Sequence, residues 1–361
     1  MAWPNSQERY VDLDVQASKV SATLTDFPLL LTAANLPAEV LDSDDANAPQ
    51  SDAGDIRFGS AADGGTQYAF EIVDYTPTSG GIGATAEIWV KVPSVSSSVD
   101  TTLYMAWKTS GTTSAPAADA ANGSEAVWSD YQYVGHMKTD GTDATGNDVS
   151  VSTAGTPDDA TGKIGGGQRI VTTNSEYYRA SAGTFGYPVT LQGWTYSVGS
   201  GEDDRSVRAV CLGDASATGQ QLNLGANTSG GTSTTDVQRV GSATGHAFGV
   251  ANSASTWYML HGVIAASNDC ENFTDGVTAG TDTTTVTVTG IDTISILCSA
   301  DSTPFGDEGT VDEVRVRYSA LSASWIAAEY NNQNDPATFV VEGTPAAVAP
   351  PAAGNPIAMI L

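Results

Sequence analysis

Basic residues are scarce in this chain: 14 lysines and arginines stand against 42 aspartates and glutamates among 361 residues, a formal net charge of −28. Neutralising phosphates takes clustered cations, so a nucleic-acid partner is excluded, and anionic membrane surfaces are disfavoured on the same ground. The acidity itself suits solubility or a supply of carboxylates for calcium. Charged residues of both signs make up only 16%, against about a quarter in ordinary domains. Small polar residues fill the gap and suit exposed strand faces and turns. No apolar run approaches a bilayer span, so no membrane insertion is expected. The three cysteines, Cys211, Cys270 and Cys298, have no CxxC spacing. Their odd number leaves at least one thiol unpaired in any intramolecular scheme, and whether the other two bridge stays open. Scattered Cys and His exclude a zinc site. The opening residues, Met1 to Arg9, carry no basic region followed by an apolar run, so an exported type of composition is expected without a secretory signal.

What the chain does have is a succession of short Val-, Ile-, Thr-, Tyr- and Trp-rich runs, separated by Gly, Asp, Asn, Ser and Pro. Tyr10 to Val15 alternates. Ala86 to Val92 places Ile88, Val90 and Val92 on one face and Glu87, Trp89 and Lys91 on the other. Thr284 to Gly290 reads as another period-two strand. These patterns predict an all-β chain of antiparallel sandwiches. One short C-terminal helix is expected, capped by Ser322, with Trp325, Ala328 and Glu329 sharing a face and Asn331 to Pro336 ending it. Gly111 to Gly123 is a small-residue connection, and Thr344 to Pro356 is rich in Ala and Pro. The boundaries expected are a first sandwich over 1–110, a linker over 111–124, a second sandwich over 125–343 and an extended tail over 344–361.

Several stretches resemble known domains. In the first block, Asp26 to Leu31, Gly54-Asp55-Ile56-Arg57-Phe58, Tyr68 to Ile72, Ala86 to Pro93 and Thr101 to Met105 are similar in order and spacing to an uncharacterised β-domain common in bacterial surface and phage virion proteins. In the second block, Ala126 to Tyr131, Asp143 to Asp148, Val189 to Trp194, Thr256 to Val263, Asn272 to Gly276 and Gly309 to Val316 resemble a laminin-G-like module of the concanavalin-A-like lectin superfamily. The resemblance implies two β-sandwich domains in tandem, the second a concanavalin-A-like jelly roll. The first of these families brings no established chemistry.

The superfamily includes glucanases, whose retaining members hold two carboxylates roughly 5 Å apart. No Glu-x-Asp pattern sets such a pair on one strand face here, and none of His136, His246 and His261 lies near a Gly-x-Ser-x-Gly elbow. The expectation is a protein that is not an enzyme. Lectin-like sandwiches often hold calcium, and Asp143, Asn147, Asp148 and Asp312 are the candidate ligands, against a reading in which Asp143 and Asn147 only build a turn. Trp128, Trp194, Trp257 and Trp325 are expected in the core. Trp89, on the polar side of its strand, either meets the second domain or is a candidate ligand contact. The tail ends in apolar residues, and Ile357, Met359, Ile360 and Leu361 are the candidates for docking onto a partner.

Together these features lead to an expected structural component of a tailed-phage virion. It would be a capsid decoration protein, tail fibre or tail-tip protein with an outward lectin-like domain for surface or glycan adhesion. Other virion proteins, further copies of the chain and host-surface glycans are the expected partners. The alternative is a bacterial cell-surface adhesin or carbohydrate-binding module.

Overall fold

The computed structural model describes residues 2–170, 176–197, 207–217, 219–229, 232–299 and 309–349. The chain is all-β and forms two compact units. One contains residues 1–18, 23–123 and 336–361, the other residues 19–22 and 124–335.

In the first unit, the alternating run Arg9–Val15 buries Val11, Leu13 and Val15 and leaves Tyr10, Asp12 and Asp14 on the opposite face. It pairs antiparallel with Thr101–Trp107, which continues to Arg57–Ala61 and Gly64–Gln67. A second sheet joins Leu24–Thr32, Thr85–Val95 and Phe70–Thr76. Phe58 and Phe70, one from each sheet, meet with ring centroids 5.3 Å apart. The Gly-Asp-Ile-Arg-Phe segment is held by its acid: Asp55 accepts from the backbone N–H groups of Gln50 (3.0 Å) and Lys108 (2.9 Å).

The end of the chain departs from the expected boundaries. Pro336–Phe339 forms a helical turn, and Val340–Glu342 and Ala346–Ala347 then add to the free edge of Arg9–Val15. Phe339 is fully buried and stacks on Phe27 at 6.1 Å. The segment expected to close the second sandwich and start a free tail thus completes the first. An unpaired edge strand exposes a row of backbone N–H and C=O groups, and these strands satisfy it. Ile357, Met359, Ile360 and Leu361 lie outside the described residues.

The second unit packs two antiparallel sheets. Among the described residues, one orders as Asp158–Thr161, Gly166–Ile170, Gly309–Arg317, Val189–Ser197, Trp257–Ala266, Asp269–Thr274 and Val277–Asp282, with Tyr133–Gly135 also pairing with Gly309–Arg317. The other orders as Thr244–Ala251, Thr232–Val240, Gln221–Ser229, Arg208–Gly213, Thr293–Ile296, Tyr177–Ser181 and Ser152–Ala154. Val189, Leu191, Leu260, Val314 and Val316 from the first meet Val210, Leu212, Leu222, Leu224, Val237 and Ile294 from the second. Each buried Val, Leu or Ile contributes about 1.5–3 kcal/mol of apolar burial. Asp275 and Gly276, at φ 51° and 80°, make a tight hairpin turn.

Three expectations are corrected. Thr284 to Gly290 forms no strand, although Val286 and Val288 still point into the core. Ala126 to Tyr131, which resembles the entry strand of the lectin-like module, does not form one: residues Ser124–Val127 are helical, and the first strand of the unit is Tyr133–Gly135. The capped helix is longer than expected, Ala323–Asn334, with Ser322 Oγ accepting from the Trp325 N–H at 3.2 Å.

Candidate functional site

The outer face of the sheet running from Thr244–Ala251 to Ser152–Ala154 carries an unbroken row of polar side chains. In register, His246 faces Gln238, Gln238 faces Asn223, Asn223 faces Cys211, Cys211 faces Ser295, Ser295 faces Arg179 and Arg179 faces Ser152. The local sequences make this row. Gln221-Leu-Asn-Leu224 and Asp236-Val-Gln238 alternate polar and apolar, so one face of each strand feeds the core and the other builds the row. Asp236 and Phe248 form a second register pair beside it.

This face is polar yet largely shielded from water. Asn223, Cys211, Ser295 and Asp236 are fully buried, and Arg208 nearly so. Asn223 Nδ2 donates to Gln238 Oε1 at 3.1 Å, and Arg208 Nη2 donates to the same oxygen at 3.3 Å. Asn223 Oδ1 and Ser295 Oγ are buried with no protein partner. Leaving such an atom unpaired costs about 1–3 kcal/mol.

At one end the row becomes aromatic and open. His246 Nδ1 lies 2.9 Å from Asp236 Oδ2, and the His246 ring stacks on Phe248 with centroids 4.7 Å apart and planes 6° apart. Phe248 is 43% exposed, so a large flat apolar surface is presented beside polar groups. This end of the face therefore offers a stacking platform beside the half-buried His246 and Gln238. Sequence reasoning passed over Asn223, Asp236, Gln238, Phe248 and Ser295. The alternation in Gln221-Leu-Asn-Leu224 was the available signal.

The sequence-derived candidates are placed elsewhere. Asp143 Oδ1 accepts from the N–H groups of Val134 (3.2 Å) and Thr145 (3.1 Å); its Oδ2 accepts from Thr145 Oγ1 (2.8 Å) and the Val149 N–H (3.0 Å). Asn147 Nδ2 donates to the Tyr131 and Gln132 carbonyls. These residues staple a loop. Asp148, with φ 49°, borders with Asp143 a cavity of about 260 Å³. Asp312 is buried and accepts from the Ile164 N–H at 2.7 Å. Among the described residues, Asp143, Asp148 and Asp312 do not converge within 4.8 Å. Asp143 spends its lone pairs on N–H and O–H donors. Trp89 is fully buried and donates to Glu87 Oε1 at 3.3 Å, so it offers no surface to a ligand. Trp128, Trp194 and Trp325 are buried as expected, whereas Trp257 is half-buried against Tyr196.

A second polar cluster lies on the far side of the other sheet and is closed to solvent. A bulge sets Glu313 and Val314 opposite the single residue Gly193, with Glu313 at φ 49°. It resets the alternation, so that Val311, Val314 and Val316 enter the core while Glu313 and Arg315 both face the Ala323–Asn334 helix. Arg315 reaches Glu313 at 2.6 Å and Glu329 at 3.0 Å; His136 meets Glu313 at 2.8 Å and His261 meets Glu329 at 3.1 Å. Burial alone would raise the Glu313 pKa, but His136 and Arg315 outweigh it and hold the carboxyl down at about 2. This network fastens the helix to the sheet and is too buried to bind a ligand.

Fold and site together define a two-unit β-sandwich protein with a recessed polar face and an aromatic rim. No family model matches the sequence, and no curated protein matches it. Among solved structures it is similar to the binding domain of Paraclostridial Mosquitocidal Protein 1, at 12% identity over 56% of this chain and 52% of that one, with a TM-score of 0.45. It is also similar to a botulinum neurotoxin serotype D ligand binding domain in complex with N-acetylneuraminic acid, at 10% identity over 56% and 51%, with a TM-score of 0.45. A third similar structure is domain 4 of an extracellular arabinanase from Geobacillus stearothermophilus in complex with arabinotriose. It matches at 16% identity over 55% of this chain and 96% of that one, with a TM-score of 0.43. The chain spans about half the length of the toxin domains. Similarity at these scores carries no argument about function.

Proposed function

We propose that this protein is a non-catalytic adhesion module that binds a glycan on the outer face of the Thr244–Ala251 to Ser152–Ala154 sheet. One observation carries the reading. An exposed aromatic, Phe248, stacks on His246 and stands beside the half-buried polar side chain of Gln238. A sugar matches both halves, because its C–H face stacks on the ring and its hydroxyls can bond the half-buried His246 and Gln238. A purely apolar ligand would match the ring alone.

Glycan-array binding of the intact chain tests this, with arabinotriose and N-acetylneuraminic acid among the probes. Phe248→Ala should weaken binding about tenfold, the worth of roughly 1.4 kcal/mol of aromatic contact. It should leave the melting temperature nearly unchanged, since the ring is already 43% exposed. A blank array, or Phe248→Ala binding as tightly as the parent, sinks the reading.

The setting belongs to the same proposal. We infer a virion component, with a bacterial surface adhesin as the second reading. The resemblance of the first block to a domain shared by phage virion and bacterial surface proteins supports both. Immunogold labelling of particles and of cells separates them.

A further inference from the structure

The first unit also carries a surface that fits a ligand, on the face opposite its core. Tyr10 and Tyr104 meet there with ring centroids 6.0 Å apart and planes tilted by 57°, and both are only half-buried. Asp12 stands directly across from Tyr104, and Asp14 lies between Thr102 on one side and Val341 on the other. Thr102 donates its hydroxyl to Asp14. The Asp12 carboxylate lies over Gly343, where a Cβ atom would come within 2.1 Å of it, and it has no hydrogen-bond or ion-pair partner among the described residues. The nearest arginine in sequence, Arg9, is tied to Glu39 by bonds of 3.0 and 2.8 Å. Val341 is 49% exposed.

The charged groups of this patch are all negative. Two tyrosine rings, whose faces carry the negative side of their quadrupoles, are flanked by two carboxylates. We propose that the patch captures a lysine or arginine side chain of a partner protein. The cation sits against the Tyr10 and Tyr104 rings beside Asp12, and its aliphatic stem lies over Val341. Charge complementarity favours this occupant: the chain's charge of −28 attracts basic surfaces generally, and the tyrosine pair gives that attraction a place. The site is separate from the glycan face and does not depend on it.

The test uses the intact chain with ring-labelled tyrosine, titrated with tetramethylammonium, a cation without hydrogen-bond donors. Tyr10→Phe and Tyr104→Phe assign the signals. Saturable shifts are expected at both rings. A peptide bearing one lysine should bind more tightly than the same peptide with glutamine there. Asp12→Asn and Tyr104→Val should each weaken binding about two- to fivefold, the scale of an exposed cation–π or ion-pair contact. Asp26→Asn, which removes an equal charge from an exposed position in the same unit, should bind like the parent. Hydrogen exchange of the Arg9–Val15 amides verifies that each variant is folded. Absence of shifts at the two rings, or equal losses for Asp12→Asn and Asp26→Asn, overturns the proposal.

Discussion

Replacing Phe339 with alanine should unfasten the first unit from a position more than two hundred residues away in sequence from the rest of that unit. The ring is fully buried and stacked on Phe27, and its own carbonyl accepts from the Gln16 N–H at 2.9 Å. Truncating a buried Phe to Ala costs about 3–5 kcal/mol in lost transfer energy and cavity formation. At about 1.4 kcal/mol per decade, the opening equilibrium of the unit rises roughly a hundred- to several-thousand-fold. Hydrogen exchange reads this residue by residue. The amides of Val11 and Leu13 should speed up by that factor, while those of Val210 and Leu212 in the second unit should not change. Val341→Ala, at a half-exposed position two residues away, should shift exchange by less than about 0.5 kcal/mol. If Phe339→Ala leaves the Val11 and Leu13 amides protected as in the parent, the C-terminal segment is not part of the first unit's core.

Ser295→Ala removes a buried hydroxyl that has no protein partner, so thermal denaturation should show equal or slightly higher stability. A large drop in stability would show that the hydroxyl is satisfied within the fold. Acid should destabilise the second unit in a definite window. The folded-state pKa of Glu313 is depressed from 4.5 to about 2. Its contribution is therefore fully present above about 4.5 and is lost as the pH falls through that range towards 2. Urea unfolding at stepped pH should show this loss, and Glu313→Gln should flatten it; an equally steep acid limb in that variant refutes the assignment. Finally, a chelator should leave the melting temperature unchanged, because a cation bound only to the native state would have to stabilise it. A fall in melting temperature would restore the acidic loop as a metal site.

The strands were legible where period-two alternation ran cleanly. Tyr10 to Val15 lies within the strand Arg9–Val15 and Ala86 to Val92 within Thr85–Val95, although Glu87 and Trp89 on the expected polar side of the latter are buried; the Ser322 cap formed as read. The exceptions are instructive. Thr284 to Gly290 alternates, and Val286 and Val288 do enter the core, but no neighbour completes a hydrogen-bonded ladder. Alternation reports which side is apolar; it does not report whether a partner strand is present. The acids were ambiguous for a related reason. Asp143 in an Asp/Asn-rich turn looks alike as a metal ligand and as a backbone staple, and only the positions of the Val134, Thr145 and Val149 donors separate the two.

Composition and short-range periodicity determined that this chain is all-β, strongly acidic and divided into two sandwiches, because charge count and side-chain alternation are properties of the chain before it folds. Only the tertiary structure decided where function could reside. Strand register across seven strands aligned His246, Gln238, Asn223, Cys211, Ser295, Arg179 and Ser152, residues scattered over more than a hundred positions. A bulge at Glu313 turned two charged residues to the same side, and the returning C-terminal strand placed Val341 beside Asp14. Register, bulges and edge pairing are set by contacts between distant segments, so no local reading of the sequence contains them.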